Sequence, residues 1–136
     1  MIKIKICGIT NLNDALHAAE LGVDALGFVF VEDSPRFIKP IDASKIIGRL
    51  PPFLSKVGLF VNPSIDEVKQ AINTCHFDLI QFHGDESASF CEQFNSPYIK
   101  AISVENELSL VEYEKEYDSA SAFLLDSFSK DARGGT

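Results

Sequence analysis

The stretch Ala25-Leu26-Gly27-Phe28-Val29-Phe30 is almost entirely apolar. A strand with one solvated face alternates apolar and polar residues, whereas a strand covered on both faces reads as a continuous apolar run. Strands covered on both faces are typical of parallel sheets, in which helices pack on each side. We therefore predict a buried strand here, and we predict that it pairs with parallel neighbours.

Similar short strand patterns recur along the chain, with helical patterns between them. The predicted strands begin at residues 2, 25, 57, 79, 98 and 122. A first predicted helix ends near Gly22, and the later ones span Asp42–Leu50, Ser64–Thr74, Glu86–Phe94 and Leu108–Tyr117. This alternation predicts a single α/β domain over residues 1–136 and leaves two architectures, a doubly wound open sheet or part of an eight-stranded barrel. Length alone favours the open sheet, because a complete barrel usually needs about 200 residues or more.

The overall charge argues against two classes of partner. The chain has 136 residues and a formal net charge of −8, whereas nucleic-acid binding needs a basic surface. The longest apolar runs fall far short of the roughly 18 residues that a membrane helix requires. The segment that begins with Met1 also lacks the apolar core of a secretory signal. We therefore expect neither nucleic acid nor a membrane as partner.

Cysteine and histidine usage indicates a reducing compartment. The three cysteines, Cys7, Cys75 and Cys91, form no close C-x-x-C pair, which argues against a disulfide framework and for the cytoplasm. The histidines are scattered without tetrahedral zinc spacing, so we expect no metal site.

Polar side chains cluster in the sequence where predicted strands end. Both candidate architectures bind ligands beyond the carboxyl ends of their strands. The residues at these positions are Cys7, Arg36, Asn62, Gln81, His83, Ser103 and Asp126. Together they supply a thiol, a carboxyl group, a fixed cation and an imidazole. This set suits proton transfer on a small anionic substrate.

Two of these residues are candidates for the acid and the base. Cys7 is followed by Gly8 and the start of a helix, where backbone N–H groups could stabilise a thiolate base. The alternative is a buried cysteine that packs as a small hydrophobe. Asp126 ends an apolar strand and could act as general acid, although a turn or N-cap role would also explain it.

The remaining candidates would contact the substrate. The guanidinium of Arg36 suits a carboxylate held in two places, although pairing with Glu32 or Asp33 on the surface is the alternative. Gln81 and His83 alternate with one intervening residue, so they should face the same side of the sheet. We predict His83 as a substrate contact, with a purely structural histidine as the alternative.

Six segments together resemble one enzyme family. They are Lys5-Ile6-Cys7-Gly8-Ile9-Thr10, Gly27-Phe28-Val29-Phe30, Ser34-Pro35-Arg36, Val57-Gly58-Leu59-Phe60-Val61-Asn62, Gln81-Phe82-His83-Gly84 and Leu124-Leu125-Asp126-Ser127. In order and spacing they resemble the phosphoribosylanthranilate isomerases of tryptophan biosynthesis.

The resemblance implies a TIM (βα)8 barrel and an Amadori rearrangement. In that reaction N-(5-phosphoribosyl)anthranilate becomes the corresponding 1-deoxyribulose 5-phosphate. Asp126 would be the general acid and Cys7 the general base, and Arg36 would hold the anthranilate carboxylate near Gln81 and His83. The substrate is a small phosphosugar, and no cofactor or metal is implied.

The resemblance also implies two further strands and their phosphate-binding loops. Family members continue through Gly134-Gly135-Thr136 into strands seven and eight, so we expect residues 1–136 to be an incomplete barrel with little activity alone. The alternatives are a related barrel acting on another phosphosugar, an inactive fragment, a half-barrel that self-associates, and a flavodoxin-like binding domain.

Overall fold

The computed structural model describes residues 1–103 and 107–126, which alternate between strands and helices. The strands are β1 (Lys5–Cys7), β2 (Ala25–Val29), β3 (Ser55–Phe60), β4 (Leu79–Phe82), β5 (Tyr98–Ser103) and β6 (Ala122–Asp126). The helices are α1 (Leu12–Glu20), α2 (Pro40–Ile47), α3 (Ile65–Cys75), α4 (Ala88–Glu92) and α5 (Glu107–Glu116). The sequence Gly134-Gly135-Thr136 lies outside the described residues.

The strands form one parallel sheet in chain order, β1 to β6. A doubly wound sheet reverses its strand order at a switch point, whereas a (βα)8 barrel adds each strand beside the preceding one. The observed order is therefore that of a TIM barrel through its sixth strand. The preference for an open sheet, which rested on length, is wrong, and the same order excludes the flavodoxin-like alternative.

Helix starts follow from short polar side chains in the connecting loops. Asn11 accepts a hydrogen bond from the backbone N–H of Asp14 at 2.8 Å, and Ser64 does the same for Glu67 at 3.1 Å. Ser87 caps the short helix α4 in the same way. Such caps satisfy backbone donors that the first helical turn leaves unpaired.

The main core lies between the sheet and its helices, and it is rich in aromatic rings. Phe28, Phe60, Phe82 and Tyr98 are all buried there. The Phe82 ring packs edge-on against Phe90 of α4, with 5.9 Å between the centroids. Residues 26 to 29 of β2 are buried without a break, which confirms the predicted strand covered on both faces.

Several predicted boundaries differ from the observed ones by one to three residues, as in α2, which spans Pro40–Ile47 instead of Asp42–Leu50. Two of the differences have identifiable reasons. The ladder between β1 and β2 begins at Lys5, because Ile4 donates its backbone N–H to the carboxylate of Asp24 at 2.8 Å. Helix α4 begins at Ala88 instead of Glu86. Glu86 turns inward from the preceding loop, where it binds other loop backbone as described below.

Candidate active site

Three predicted site residues meet at the carboxyl edge of the sheet. The Gln81 side-chain nitrogen Nε2 lies 2.9 Å from Nδ1 of His83, as expected for residues facing the same side. His83 Nε2 lies 3.1 Å from Oδ2 of Asp126. Gln81 and His83 are buried and Asp126 is partly exposed. The fourth and sixth strands thus place an imidazole and a carboxyl group in direct contact.

Lys5 extends this chain of contacts, and the sequence analysis did not assign it a role. Its Nζ donates a hydrogen bond to Oε1 of Gln81. Burial lowers the pKa of Lys5 from its ordinary value, while the negative charge of the Cys7 thiolate opposes that shift. The signal was present in the sequence: Lys5 and Cys7 are two residues apart in a strand, so they share one face.

Cys7 lies opposite Gly27 in the parallel register. A Cβ atom at residue 27 would lie 2.9 Å from Sγ of Cys7, so the glycine leaves room for the thiol. The backbone N–H groups of Gly8 and Ile9 both donate to the Gly27 carbonyl at 3.0 Å. These two amides are therefore engaged by a backbone carbonyl, and Lys5 places a positive charge near Cys7. The expectation that backbone N–H groups near the helix start stabilise a Cys7 thiolate stays a prediction.

Arg36 folds back from the loop after β2 onto the end of β1. Its Nη1 donates to the Cys7 carbonyl at 3.1 Å, and its backbone N–H donates to Oγ of Ser34. The side chain crosses directly over Gly8, where a Cβ atom would lie 2.4 Å from Cδ of Arg36. Arg36 is half-buried at the carboxyl edge, so its cation stands beside the candidate base.

A second polar cluster, formed by Glu86 and Lys100, lies on the helix-facing side of the sheet. Lys100 is in register with Phe82, a residue of the helix-side core, and its Nζ lies 3.3 Å from Oε1 of Glu86. The Lys100 ammonium also donates to the Gly84 carbonyl at 2.7 Å. The Tyr117 ring covers it, with 5.5 Å from Nζ to the centroid.

The Glu86–Lys100 pair fixes the loops that follow β3 and β4. The Glu86 carboxylate accepts the backbone N–H of Gly84 at 2.9 Å and that of Asn62 at 2.8 Å. The Asn62 side chain in turn accepts the N–H of Asp85 at 2.8 Å. Asn62, a candidate site residue by position, therefore has a loop-forming contact in this structure, and Ser103 pairs in register with Asp126.

Sequence reasoning missed the Glu86–Lys100 pair because each residue fits an ordinary role. The sequence pattern predicts Glu86 in the first turn of a helix, where acidic residues are common. Lys100 sits in the middle of an otherwise apolar strand, Tyr98-Ile99-Lys100-Ala101-Ile102. A lysine at such a position must find a buried partner, and this was the available signal.

The described residues offer neither a metal cluster nor a membrane-spanning helix. Among residues 1–103 and 107–126, the His, Cys, Asp and Glu side chains form no group of three that could hold a metal ion. Within those ranges no helix is long and apolar enough to cross a membrane. The chemistry that the described site offers is that of a carboxyl group, a thiol, an imidazole and a guanidinium at one edge of a parallel sheet.

Sequence comparisons match this chain to one family. The profile of the family described as N-(5'-phosphoribosyl)anthranilate (PRA) isomerase matches residues 4–136. The N-(5'-phosphoribosyl)anthranilate isomerase of Nitrosomonas eutropha is 47% identical over 135 residues, which are 99% of this chain and 65% of that protein. That of Geobacter metallireducens is 52% identical and covers 100% of this chain and 66% of its own length. The chain thus spans slightly less than two thirds of these relatives.

Structural comparison gives the same match. The phosphoribosyl anthranilate isomerase of Thermotoga maritima superposes with a TM-score of 0.89 at 38% identity, covering 97% of this chain and 64% of its own. A phosphoribosyl anthranilate isomerase in complex with reduced 1-(o-carboxyphenylamino)-1-deoxyribulose 5-phosphate superposes with a TM-score of 0.86 at 40% identity. That match covers 94% of this chain and 66% of the other.

Proposed function

The chain belongs to the N-(5'-phosphoribosyl)anthranilate isomerase family, and we propose that its protein catalyses the Amadori rearrangement of N-(5-phosphoribosyl)anthranilate in tryptophan biosynthesis. The observation that carries this proposal is that His83 contacts Asp126 at the carboxyl edge of the sheet, while Arg36 contacts the Cys7 carbonyl at the same edge. Ligands of TIM barrels bind at that edge. The product is 1-(2-carboxyphenylamino)-1-deoxyribulose 5-phosphate.

The proposed reaction needs one acid and one base. Asp126 donates a proton to the ribose ring oxygen, the bond from that oxygen to the anomeric carbon breaks, and the anthranilate nitrogen becomes an iminium. The Cys7 thiolate then removes the proton from the neighbouring sugar carbon, which the iminium has made acidic. The resulting enolamine tautomerises to the ketone. The iminium is itself the electron sink, so the proposal includes no cofactor.

Arg36 binds the anthranilate carboxylate in this proposal. Its guanidinium is already held at the end of β1 by the Cys7 carbonyl, and a planar guanidinium suits a planar carboxylate. His83 and Gln81 line the same edge, with His83 against the acid. The acid, the base and the carboxylate-binding group therefore come from separate strands and loops.

The proposal for the architecture is that residues 1–136 form the first six strands of an eight-stranded barrel. Large apolar side chains at the two sheet edges support it, since Ile6 of β1 and Leu125 of β6 are exposed. Strands seven and eight of the family barrel would pair with these edges and supply the phosphate-binding loops. Closure by a second copy of the chain is the competing arrangement. A concentration-independent dimer of residues 1–136 would favour that second arrangement, whereas a monomer or an aggregating species would contradict it.

The proposal also includes a cytoplasmic location for the protein. Cys7, Cys75 and Cys91 all carry free thiols in the structure, as a reducing compartment favours.

An isomerase assay on the whole protein tests the function. Cys7→Ser and Asp126→Asn should each lower kcat by about 10²–10⁴-fold, the usual contribution of a positioned acid or base. Asp118→Asn is the matched control, because Asp118 is exposed in the turn that follows α5. Near-normal rates in either site variant, with circular dichroism showing a native fold, would remove that residue from the mechanism.

Arg36→Met separates this substrate from other phosphosugars. The variant should raise KM for the carboxylate-bearing substrate by roughly 10-fold or more, since a charged hydrogen-bonded contact is lost. A substrate analogue that lacks the carboxylate should bind wild type and variant alike. Equal losses for both compounds would contradict the assigned contact.

A further inference from the structure

The Gln81 amide is held at both ends by different partners. Its oxygen Oε1 accepts from the Lys5 ammonium, and its nitrogen Nε2 lies 2.9 Å from Nδ1 of His83. An ammonium group has donors and no acceptor, so only the oxygen end of an amide can face it. The Lys5 contact therefore fixes which end of Gln81 faces His83. That orientation follows from donor and acceptor chemistry.

This orientation determines where His83 carries its proton. The Gln81 NH₂ group only donates, so Nδ1 of His83 must accept and carries no hydrogen. A neutral imidazole then has its proton on Nε2, the atom 3.1 Å from Oδ2 of Asp126. A second proton on Nδ1 would set two donors against each other inside a buried contact, since Gln81 and His83 are both buried.

We propose that Lys5 is a positioning residue which, through the Gln81 amide, holds His83 as the neutral Nε2–H tautomer against Asp126. The catalytic consequence rests on the proposed function. An imidazolium in contact with Asp126 would stabilise the carboxylate and disfavour the protonated form that a general acid needs. Neutral His83 instead donates a hydrogen bond to Oδ2 of Asp126 without placing a positive charge beside the carboxyl group.

The direct readout is the tautomer of His83 in the full chain. Long-range ¹H–¹⁵N correlation spectra distinguish a protonated from an unprotonated ring nitrogen. Wild type should show an unprotonated Nδ1 and a protonated Nε2. Lys5→Met frees the Gln81 amide to rotate and should give a mixture of the two tautomers. Lys3→Met is the matched control, because Lys3 is an exposed lysine two residues earlier, and it should leave the His83 spectrum unchanged.

A second variant keeps the proposal testable if Lys5→Met does not fold. Gln81→Glu replaces the NH₂ donor by an acceptor, so Nδ1 of His83 should gain a proton. A wild-type spectrum with a protonated Nδ1 would overturn the proposal. So would folded Lys5→Met with the wild-type pattern, or Gln81→Glu in which Nδ1 stays unprotonated.

Kinetics add the catalytic consequence. In Lys5→Met, kcat should fall by about 10-fold with KM nearly unchanged, because Lys5 acts through the acid and not on the bound substrate. Because Lys5 also lies near Cys7, a fall in kcat with an unchanged His83 tautomer would contradict the proposal. Wild type that shows the expected tautomer but no isomerisation would refute the proposed function and leave the assignment of His83 intact.

Discussion

Replacing Lys100 by methionine should destabilise the protein strongly. The Lys100 and Glu86 side chains are only 3% and 2% exposed, and their charged atoms are 3.3 Å apart. Methionine is close to lysine in length and keeps the apolar stem, so the variant removes the charge without opening a large cavity. It leaves the Glu86 carboxylate buried without its counter-ion.

The magnitude follows from the groups left behind. Breaking a buried ion pair by removing one partner typically costs about 3–5 kcal/mol. Two backbone N–H groups still bind Glu86, which moderates the loss. The carbonyls of Gly84 and Ala101, which lie 2.7 and 3.2 Å from Nζ, lose their lysine donor. Their loss increases the destabilisation. We expect a decrease of about 4 kcal/mol in the free energy of unfolding, a large part of the roughly 5–15 kcal/mol typical of a domain.

Urea unfolding followed by circular dichroism measures this loss. Lys3→Met is the control, because the Lys3–Asp24 pair is 3.7 Å apart with side chains 72% and 41% exposed; it should change stability by less than about 1 kcal/mol. The double variant Lys100→Met/Glu86→Gln should be more stable than the sum of the single changes predicts, by about 0.5–3 kcal/mol. A Lys100→Met loss no larger than that of the control would refute the reasoning.

Three further predictions concern two glycines and the three cysteine thiols. Gly8→Ala should destabilise the fold by about 1–3 kcal/mol in urea unfolding and raise KM, because φ is +92° and the new Cβ would meet Arg36 at 2.4 Å. Gly22→Ala is the control for backbone strain alone, because Gly22 has a φ of +82° and a Cβ atom there would meet no other atom within 4 Å. This variant should leave KM unchanged. Equal KM values in the two variants would contradict the clash with Arg36. A thiol reagent at neutral pH should label the half-buried Cys7 in the folded protein, while Cys75 and Cys91 should react only after unfolding. Rapid labelling of all three thiols in the folded protein would contradict the observed burial. Burial raises the pKa of Cys75 to about 11 and that of Cys91 to about 12 from an ordinary 9.0. The free energy of unfolding should therefore stay constant below about pH 9 and fall as the pH rises toward 12, because in this range the unfolded chain releases these protons more readily than the folded one. A flat profile of urea midpoints between pH 8 and 10 would be inconsistent with those shifts.

The features predictable from the sequence were those set by local pattern. Continuous apolar runs and helix-capping residues such as Asn11 and Ser64 report the order and type of the elements, and two-residue spacing placed Gln81 beside His83. The sequential strand order was not set by local pattern, because doubly wound and barrel folds share the same βα units. Only the pairing of neighbours, or a resemblance covering several segments, separates them.

Contacts between distant loops were not predictable from the residues alone. Glu86 fits the first turn of a helix as well as it fits an inward anchor, and the difference depends on Lys100, 14 positions later. Lys5 likewise acquires its role from Gln81, 76 positions away. Local pattern fixes which face a residue occupies, but it does not reveal which polar partner folding brings to that face.

The two polar clusters lie on opposite faces of the sheet and meet at the dipeptide His83-Gly84. On the helix side, Lys100 binds the Gly84 carbonyl and Glu86 binds the Gly84 N–H. The backbone N–H of His83 donates to the Phe60 carbonyl at 2.8 Å, and its ring reaches across to Asp126. A buried ion pair is weak evidence for net stability, because well-packed apolar residues often do as well. Its clearest structural effect here is to fix the backbone that carries His83, so that the imidazole approaches the candidate acid from a rigid position. The burial of these two charges behind the site is therefore better explained by the need to position His83 at the carboxyl edge than by a gain in stability.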